Sequence, residues 1–234
     1  MSLKQNWSDL EIRVRDLSPS EGLAFLADLF PGKVVFSTSL GQEDQVITQL
    51  IVSQNLPIRI FSLDTGRLFP ETLELLARTE VKYKTRIKVY YPERDSVETW
   101  VAKNGINGFY ESVENRKSCC YVRKVEPLKR ALAGNEIWVT GLRAEQSANR
   151  SGMKKIEWDE SNQIIKYNPL LDWTFDEMIA YIDRHKIPYN PLHDQGFISI
   201  GCAPCTRAIL PGEDARAGRW WWEDSKKECG LHSR

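Results

Sequence analysis

The stretch KVVFSTSLGQEDQVITQLIVSQNLPIRIFSLDTG (33–66) decides the fold. It contains a short apolar run at 33–37, an amphipathic pattern at 43–54 and a second apolar run at 56–63. Short runs rich in β-branched residues predict buried strands, and apolar residues three and four positions apart predict a helix. A strand, a helix and a second strand in this order form a right-handed crossover with the two strands parallel.

The same alternation of strands and helices continues on both sides of this stretch. Ser18, Pro19 and Glu21 form a helix-start signal, with a capping serine, a proline in the first turn and a glutamate three residues on. Further helices are predicted over 70–80, about 95–104, about 122–133 and 174–186, and further strands over 86–91 and 136–140. The predicted fold class is therefore α/β, a mostly parallel sheet with helices on both faces and a loop-rich C-terminal tail.

Three polar loops follow the predicted strands, at the edge where open parallel sheets bind ligands. The first, STSLGQED (37–44), combines hydroxyls, a glycine and the first N–H groups of a helix, which suits an anion. An ordinary turn with a capping serine fits this loop equally well. The second, LDTGRLFPET (63–72), could contact a nucleotide or simply turn the chain. The third, TGLRAEQSANRS (140–151), carries Arg143 and Arg150, which such loops usually expose.

Composition excludes several classes of protein. Of the 234 residues, 41% are hydrophobic and 27% are charged, so the chain can bury a core. The 32 basic residues equal the 32 acidic ones, which argues against a general nucleic-acid binder. No apolar run is long enough for a membrane span or a signal sequence, so we expect a soluble, cytoplasmic protein. Residues 116–155 nevertheless carry ten basic and only three acidic side chains, which favours a small anionic ligand.

The five cysteines fall into a vicinal pair, Cys119–Cys120, a C-x-x-C of Cys202 and Cys205, and an isolated Cys229. An odd number without a signal sequence argues against a secreted disulfide framework. Four thiolates from two segments suit zinc or an iron–sulfur cluster, and the residues alone leave both open. Cys229 is a candidate nucleophile because basic residues in its neighbourhood favour the thiolate.

Several segments together resemble one known family, the assimilatory adenylyl-sulfate and phosphoadenylyl-sulfate reductases of the iron–sulfur branch. The matching segments are LDTGRLFPET (63–72), CCYVRKVEPL (119–128), TGLRAEQS (140–147), YNPLHDQGFISIGCAPCT (189–206), PGEDARAGRWWWE (211–223) and KKECGLH (226–232). The resemblance implies an adenine-nucleotide α-hydrolase-like sheet of the PP-loop type. It implies one reductase domain over 1–234, with a nucleotide-binding core at about 33–170 and a cluster-binding, catalytic segment at about 171–234.

The resemblance also implies roles for individual residues. Cys229 is then the nucleophile, and Lys124 lies between the substrate and a [4Fe–4S] cluster. The residues implied to hold that cluster are Cys119, Cys120, Cys202 and Cys205. Those implied to bind substrate are Ser39 and Gly41 at the phosphate loop, Asp64 and Thr65 by the nucleoside, and Gly141, Arg150, Arg216 and Arg219 at the phosphosulfate. The chain departs from the family at Leu40, where a small residue is common, which leaves the register of the phosphate loop open.

The implied reaction belongs to sulfate assimilation toward cysteine biosynthesis. The Cys229 thiolate attacks the sulfonyl sulfur of adenylyl sulfate, AMP leaves, and thioredoxin releases sulfite from the S-sulfocysteine. No nucleic acid or membrane partner is expected, and a homo-oligomer is compatible with the sequence. One alternative uses the 3′-phosphorylated substrate. Another is a PP-loop sulfurtransferase that consumes ATP, although STSLGQED lacks its S-G-G-x-D-S loop, and a third is a zinc-stabilised binding module.

Overall fold

The computed structural model describes residues 3–146 and 152–223. The predicted roles of Arg150 and Cys229 therefore lie outside the described residues. The chain divides into two compact units. The first holds the described residues of Met1–Ser62, Glu71–Lys88 and Gly134–Asn190, and the second holds those of Leu63–Pro70, Val89–Ala133 and Pro191–Arg234. The single reductase domain over 1–234, with its inner boundary near 170, stays a prediction.

The strands form a six-stranded sheet in the order β3-β2-β1-β4-β6-β5. They are β1 (Val34–Thr38), β2 (Arg59–Leu63), β3 (Lys88–Tyr90), β4 (Ile137–Val139), β5 (Ile156–Asp159) and β6 (Ile164–Tyr167). Strand β1 pairs in parallel with β2 and with β4, and β4 pairs in parallel with β6. Strands β5 and β6 pair antiparallel. The mostly parallel α/β sheet predicted from the alternation is confirmed.

The α-helices of the described residues lie between and beside these strands. They are α1 (Leu3–Val14), α2 (Pro19–Leu29), α3 (Gln42–Ser53), α4 (Pro70–Tyr83), α5 (Arg94–Asn104), α6 (Val113–Cys120), α7 (Glu126–Leu132) and α8 (Phe175–His185). The predicted start of α2 is confirmed, because Ser18 and Glu21 form a reciprocal capping box and Pro19 begins the helix. Helix α8 has the same box, made by Thr174 and Glu177.

The core of the first unit is built from the inward faces of the strands and the apolar stripes of α2, α3 and α8. Strand residues such as Phe36, Ile137 and Ile165 are fully or almost fully buried. Helix residues such as Ile47 and Met178 are equally buried against them. This burial holds the carboxyl ends of β1 and β4 in register, so the loops that follow them begin at the same edge of the sheet.

The second unit contains a group of packed aromatic side chains. Tyr110 packs edge-on against Trp222 with ring centroids 4.4 Å apart, and Trp221 packs against Trp222 at 4.9 Å. Between Pro191 and Glu223 the described chain forms short 3-10 turns rather than α-helices. This agrees with the loop-rich tail predicted from the sequence.

The helix predicted over 122–133 is wrong in its boundaries. Helix α6 begins earlier, where Ser112 caps it by accepting the Asn115 N–H. A π-helical turn over Tyr121–Val125 then separates α6 from α7. Pro127 gives the reason, because it has no N–H to donate to the preceding turn and its ring crowds the carbonyl four residues back.

Two further elements were not predicted. Helix α1 lies in a polar segment, and strands β5 and β6 form an antiparallel hairpin at one edge of the sheet. The sequence carries a partial signal for the hairpin, since apolar and polar residues alternate over 156–159 before the polar segment 160–163. None of the described helices has the length and apolar character needed to span a bilayer.

Candidate active site

In the first unit, a single carboxylate connects two loops that the sequence singled out. Oδ2 of Asp44 accepts hydrogen bonds from the Ser39 backbone N–H at 2.5 Å and the Ser39 hydroxyl at 2.7 Å. Its other oxygen, Oδ1, lies so close to Gly141 that a Cβ on that glycine would overlap it. Ser39 follows β1 and Gly141 follows β4, so Asp44 fixes the relative position of both loops.

The structure shows the backbone conformation of the loop around Leu40. Leu40, rather than Gly41, adopts the left-handed conformation with φ of 63°, and Gly41 is the N-cap of α3 with φ of −66°. The Leu40 N–H donates to the Thr38 hydroxyl at 3.0 Å, and its side chain is buried. A glycine would adopt this φ without strain, which gives a physical reason for the small residue that the sequence resemblance implies at this position.

Burial makes Asp44 an unusual carboxyl group. Loss of solvation is the largest effect and raises its pKa to about 7. The two hydrogen bonds from Ser39 lower the pKa, and the charge of the neighbouring Glu43 raises it. A carboxyl group with this pKa gains or loses its proton near neutral pH.

Arg143 differs from the expectation that the arginines of its loop are exposed. Its side chain is buried, and Nε lies 2.9 Å from Oε1 of Glu43. Nη1 bonds Oε2 of Glu145 at 2.9 Å and the Trp173 carbonyl at 3.2 Å. The guanidinium is therefore already held by two carboxylates and stabilises the loop after β4.

In the second unit, the two cysteine pairs come together. Cys119 and Cys120 end α6, Cys202 is the N-cap of a 3-10 turn, and Cys205 is the last residue of that turn. The cavity that they share holds about 360 Å³ of empty space, part of it open to solvent. Its lining residues are Arg67, Phe109, Arg116, Cys119, Cys120, Arg123, Lys124, Cys202, Pro204 and Cys205. The predicted cluster ligands and Lys124 thus line one cavity, together with three arginines.

Local hydrogen bonds hold the C-x-x-C turn in place. The Cys205 N–H donates to the Cys202 carbonyl at 2.9 Å, and the Thr206 hydroxyl donates to the same carbonyl at 3.0 Å. The Ala203 N–H donates to the Arg67 carbonyl at 2.8 Å, which attaches this turn to the loop after β2. None of the four described cysteines is in a disulfide. Within residues 3–146 and 152–223, no three His, Cys, Asp or Glu side chains lie close enough to bind a single metal ion.

The cysteines differ in their electrostatic surroundings. Burial opposes the thiolate of Cys202, yet Lys124, the Thr65 hydrogen bond and two arginines together lower its pKa below the usual value. Burial and the two neighbouring sulfurs of Cys202 and Cys120 raise the pKa of Cys205 to about 12. Burial likewise raises the pKa of Cys119. The protein therefore supplies positive charge at this cavity, but not enough to ionise every thiol.

Asp64 and Thr65 have structural partners in the second unit. Oδ1 of Asp64 accepts the Gly66 N–H at 2.8 Å, which forms a turn in which Gly66 has φ of 70°. Thr65 is buried, and its hydroxyl lies 3.2 Å from Sγ of Cys202. The Thr65 carbonyl accepts a hydrogen bond from Arg123 at 2.7 Å. Thr65 therefore connects the loop after β2 to the cysteine cavity, a role that its sequence neighbours did not reveal.

The two arginines of the tail differ in burial. Arg216 is partly exposed, and its N–H donates to Asp214. Arg219 is buried against the Trp220 ring, with Nη1 3.3 Å from the Ser199 hydroxyl. Its guanidinium lies where a Cβ on Gly201 would be. Nε of Arg219 has no hydrogen-bond partner within the described residues, so a donor remains there for an anion.

Comparison with known proteins agrees with this fold. Residues 33–208 match the family defined by the phosphoadenosine phosphosulfate reductase domain. A protein of Allochromatium vinosum named adenosine 5′-phosphosulfate reductase is 59% identical over 202 residues, which cover 86% of this chain and 79% of the relative. A protein of the same name from Sinorhizobium fredii strain NGR234 is 53% identical, covering 99% of this chain and 92% of the relative.

Two solved structures resemble this chain in fold. A phosphoadenylyl-sulfate reductase from Candida auris superposes with a TM-score of 0.75 at 31% identity, covering 89% of this chain and 98% of that one. An FMN adenylyltransferase from Candida glabrata superposes with a TM-score of 0.56 at 16% identity, covering 100% of this chain and 78% of that one. The second likeness concerns the fold alone.

The sheet order and the loops at its carboxyl edge define an α/β protein of the PP-loop type, as predicted. Within that class, the chain belongs to the phosphoadenosine phosphosulfate reductase domain family, and it is an enzyme.

Proposed function

We propose that this protein is a thioredoxin-dependent adenylyl-sulfate reductase of assimilatory sulfate reduction. The observation that carries the proposal is the cavity in the second unit where four cysteines from two distant segments, none of them in a disulfide, meet Lys124 and Arg123. The relatives that are 50–59% identical, and whose name is adenosine 5′-phosphosulfate reductase, support the same substrate.

The donor set of this cavity fits a [4Fe–4S] cluster bound by Cys119, Cys120, Cys202 and Cys205. In such a cluster each thiolate binds a different iron, so the sulfurs lie farther apart than around one ion. The cluster, when bound, would polarise and position the substrate rather than pass electrons.

The positive groups near the cysteines suit both the cluster and an anionic substrate. Lys124 and Arg219 each favour the Cys202 thiolate, and Arg219 retains a buried Nε donor. In the first unit, Ser39, Gly41 and Gly141 supply loop backbone at the carboxyl edge of the sheet for the phosphosulfate group. Arg150 and Arg216 remain proposed contacts on the strength of the sequence resemblance.

The proposed reaction uses Cys229 as nucleophile. Its thiolate would attack the sulfonyl sulfur, the bond from sulfur to the phosphate oxygen would break, and AMP would leave with that bonding pair. The product on the enzyme would be an S-sulfocysteine. One thioredoxin thiolate would then attack the Cys229 sulfur, releasing sulfite, and the second would close a disulfide and return Cys229 as a thiol. The two electrons that reduce the sulfur come from the thioredoxin dithiol.

The choice of substrate is the first alternative to be tested. The Candida auris structure is named a phosphoadenylyl-sulfate reductase, so the 3′-phosphorylated nucleotide is the second candidate. We expect faster sulfite release from adenylyl sulfate than from its 3′-phosphorylated form. A strong preference for the 3′-phosphorylated form would reverse the assignment. We further propose that the enzyme acts in the cytoplasm, where thioredoxin is kept reduced.

Trapping the intermediate tests the mechanism directly. The cluster-loaded protein is incubated with adenylyl sulfate without a reductant, and its intact mass is measured. We expect one sulfonate adduct, located on Cys229 by peptide mapping and absent from Cys229→Ser. Added reduced thioredoxin should remove the adduct and release one sulfite for each adduct lost. An adduct on any other cysteine would refute the proposed nucleophile.

A further inference from the structure

Asp44 differs from the other acidic residues that occupy the same position in a helix. It is the third residue of α3, as Glu21 is of α2 and Glu177 is of α8. Glu21 and Glu177 are at the surface, and each accepts hydrogen bonds from its own N-cap residue. Asp44 is buried, and it reaches past the N-cap to the Ser39 N–H and hydroxyl.

Burial reverses the electrostatic behaviour of this position. Hydrogen bonds to Ser18 and Thr174 lower the pKa of Glu21 and of Glu177, whereas burial raises that of Asp44 to about 7. Keeping Asp44 ionised at neutral pH therefore costs free energy because its charge is buried. The exposed carboxylates of Glu21 and Glu177 do not have this cost.

The charged groups around Asp44 do not remove this cost. On its own helix, Glu43 is a like charge that raises the pKa of Asp44 further. In the loop after β4, the Arg143 guanidinium bonds to Glu43 and Glu145. The loop after β1 contributes the neutral donors of Ser39. An anion arriving at these loops would therefore meet a buried negative charge.

We propose that Asp44 is a proton-linked positioning residue, which takes up a proton when an anionic ligand binds at the Ser39 and Gly141 loops of the first unit. This inference rests on the proposed function, which assigns the phosphosulfate of the substrate to these loops. The step is balanced, because one solvent proton converts the Asp44 carboxylate to a neutral carboxyl group. Neutralisation removes the repulsion and weakens the hold of Asp44 on the Ser39 N–H and hydroxyl, which can then donate to the ligand.

The proposal predicts how affinity depends on pH. Below a pH of about 7 the carboxyl group already holds its proton, so affinity is constant there. Above this pH, affinity should fall by up to about tenfold per pH unit, because each binding event must include a proton. The phosphosulfate itself stays fully ionised across this range, so the change belongs to the protein.

Calorimetry measures the proton directly. Adenylyl sulfate is titrated into the cluster-loaded full-length Cys229→Ser protein at about pH 8, in two buffers with different heats of ionisation. We expect uptake of a large fraction of one proton with Asp44 present and none in Asp44→Asn, which retains the acceptor oxygen without the charge. Glu177→Gln is the matched control, since it removes the carboxylate at the same position of α8, and its proton uptake should be unchanged.

A second variant keeps the test decisive if Asp44→Asn does not fold. Ser39→Ala removes a hydroxyl that lowers the pKa of Asp44, so the pH at which affinity begins to fall should move upward. Three results would overturn the inference and leave the proposed function intact. They are no proton uptake in the parent protein, full proton uptake in Asp44→Asn, and an unchanged pH profile of affinity in Ser39→Ala. Failure of the parent protein to bind adenylyl sulfate at all would overturn both.

Discussion

The Arg116 guanidinium and the Glu223 carboxylate form a two-bond ion pair in the interior of the second unit. Nε and Nη2 of Arg116 each lie 3.0 Å from one oxygen of Glu223, and the side chains are 1% and 5% exposed. Arg116 also stacks on Trp220, with the guanidinium carbon 4.6 Å from the ring centre. This pair attaches the last described residue of the tail to α6, the helix that carries Cys119 and Cys120.

Glu223→Gln should destabilise the protein strongly. It leaves the buried charge of Arg116 without its counter-ion, and removing one partner of a buried pair typically costs about 3–5 kcal/mol. The free energy of unfolding, measured by guanidinium titration, checks this. Glu213→Gln is the matched control, because Arg207 and Glu213 form a similar two-bond pair at 36% and 30% exposure. A control variant that loses as much stability as Glu223→Gln would contradict the role of burial.

Cys202→Ser should lose the iron–sulfur cluster, whereas Cys229→Ser should keep it. Cys202 lines the cavity with the other three proposed ligands and is hydrogen-bonded to Thr65. Iron and acid-labile sulfide, with the visible absorption spectrum, report the cluster independently of activity. We expect about four irons per chain in the parent protein and in Cys229→Ser. A colourless parent protein that contains zinc and no labile sulfide would contradict the assignment.

Gly141→Ala should lower affinity for adenylyl sulfate. The added methyl group would overlap Oδ1 of Asp44, and relieving such a contact typically costs about 1–3 kcal/mol through shifts of the surrounding chain. The loops of Ser39 and Gly141 would then separate, so KM should rise. Gly134→Ala is the control, because a Cβ at Gly134 meets no atom within 4 Å. Its φ of 76° makes it mildly destabilising, but substrate affinity should be unchanged. Equal affinities in the two variants would contradict the steric argument.

The stability of the first unit should fall as pH rises from about 4 to about 7. The folded pKa of Asp44 is raised above its ordinary value of 3.8 to about 7, so the folded state binds more protons in this interval. The stabilisation is complete below the unfolded pKa and is lost as pH rises through the folded one. The free energy of unfolding of Asp44→Asn minus that of the parent protein should therefore be larger at about pH 8 than at about pH 5. The expected increase in this difference is roughly 1–4 kcal/mol.

Thermal unfolding of the cluster-loaded protein at several pH values measures this difference. Glu177→Gln again serves as the control, since hydrogen bonds lower the pKa of that exposed carboxylate. The contribution of the Glu177 carboxylate to stability should be lost as pH falls, which is the opposite of the behaviour of Asp44, and this loss should occur only at acidic pH. Parallel stability curves for the parent protein and Asp44→Asn between pH 5 and 8 would contradict the buried, protonated carboxyl group.

Local patterns were sufficient for most of the fold and for the grouping of the cysteines. The run at 33–37, the helix signal at Ser18 and the alternation up to β4 depend on residues close together in the chain, and the structure confirms them. Helix α6 and the π-helical turn that follows it were not predicted. Periodicity cannot show that Pro127 removes one hydrogen bond and introduces a π-helical turn.

The sequence by itself determined the parallel α/β sheet, the two cysteine pairs and the loops at the carboxyl ends of the strands, because each depends on spacing along the chain. Only the tertiary structure decided which charged groups are buried and what they contact. Arg143 is held by Glu43, and Arg116 by Glu223. Asp44 is enclosed by Ser39 and Gly141. Burial depends on residues far apart in the chain, and the energy of a charge depends on burial, so no local pattern could assign these roles.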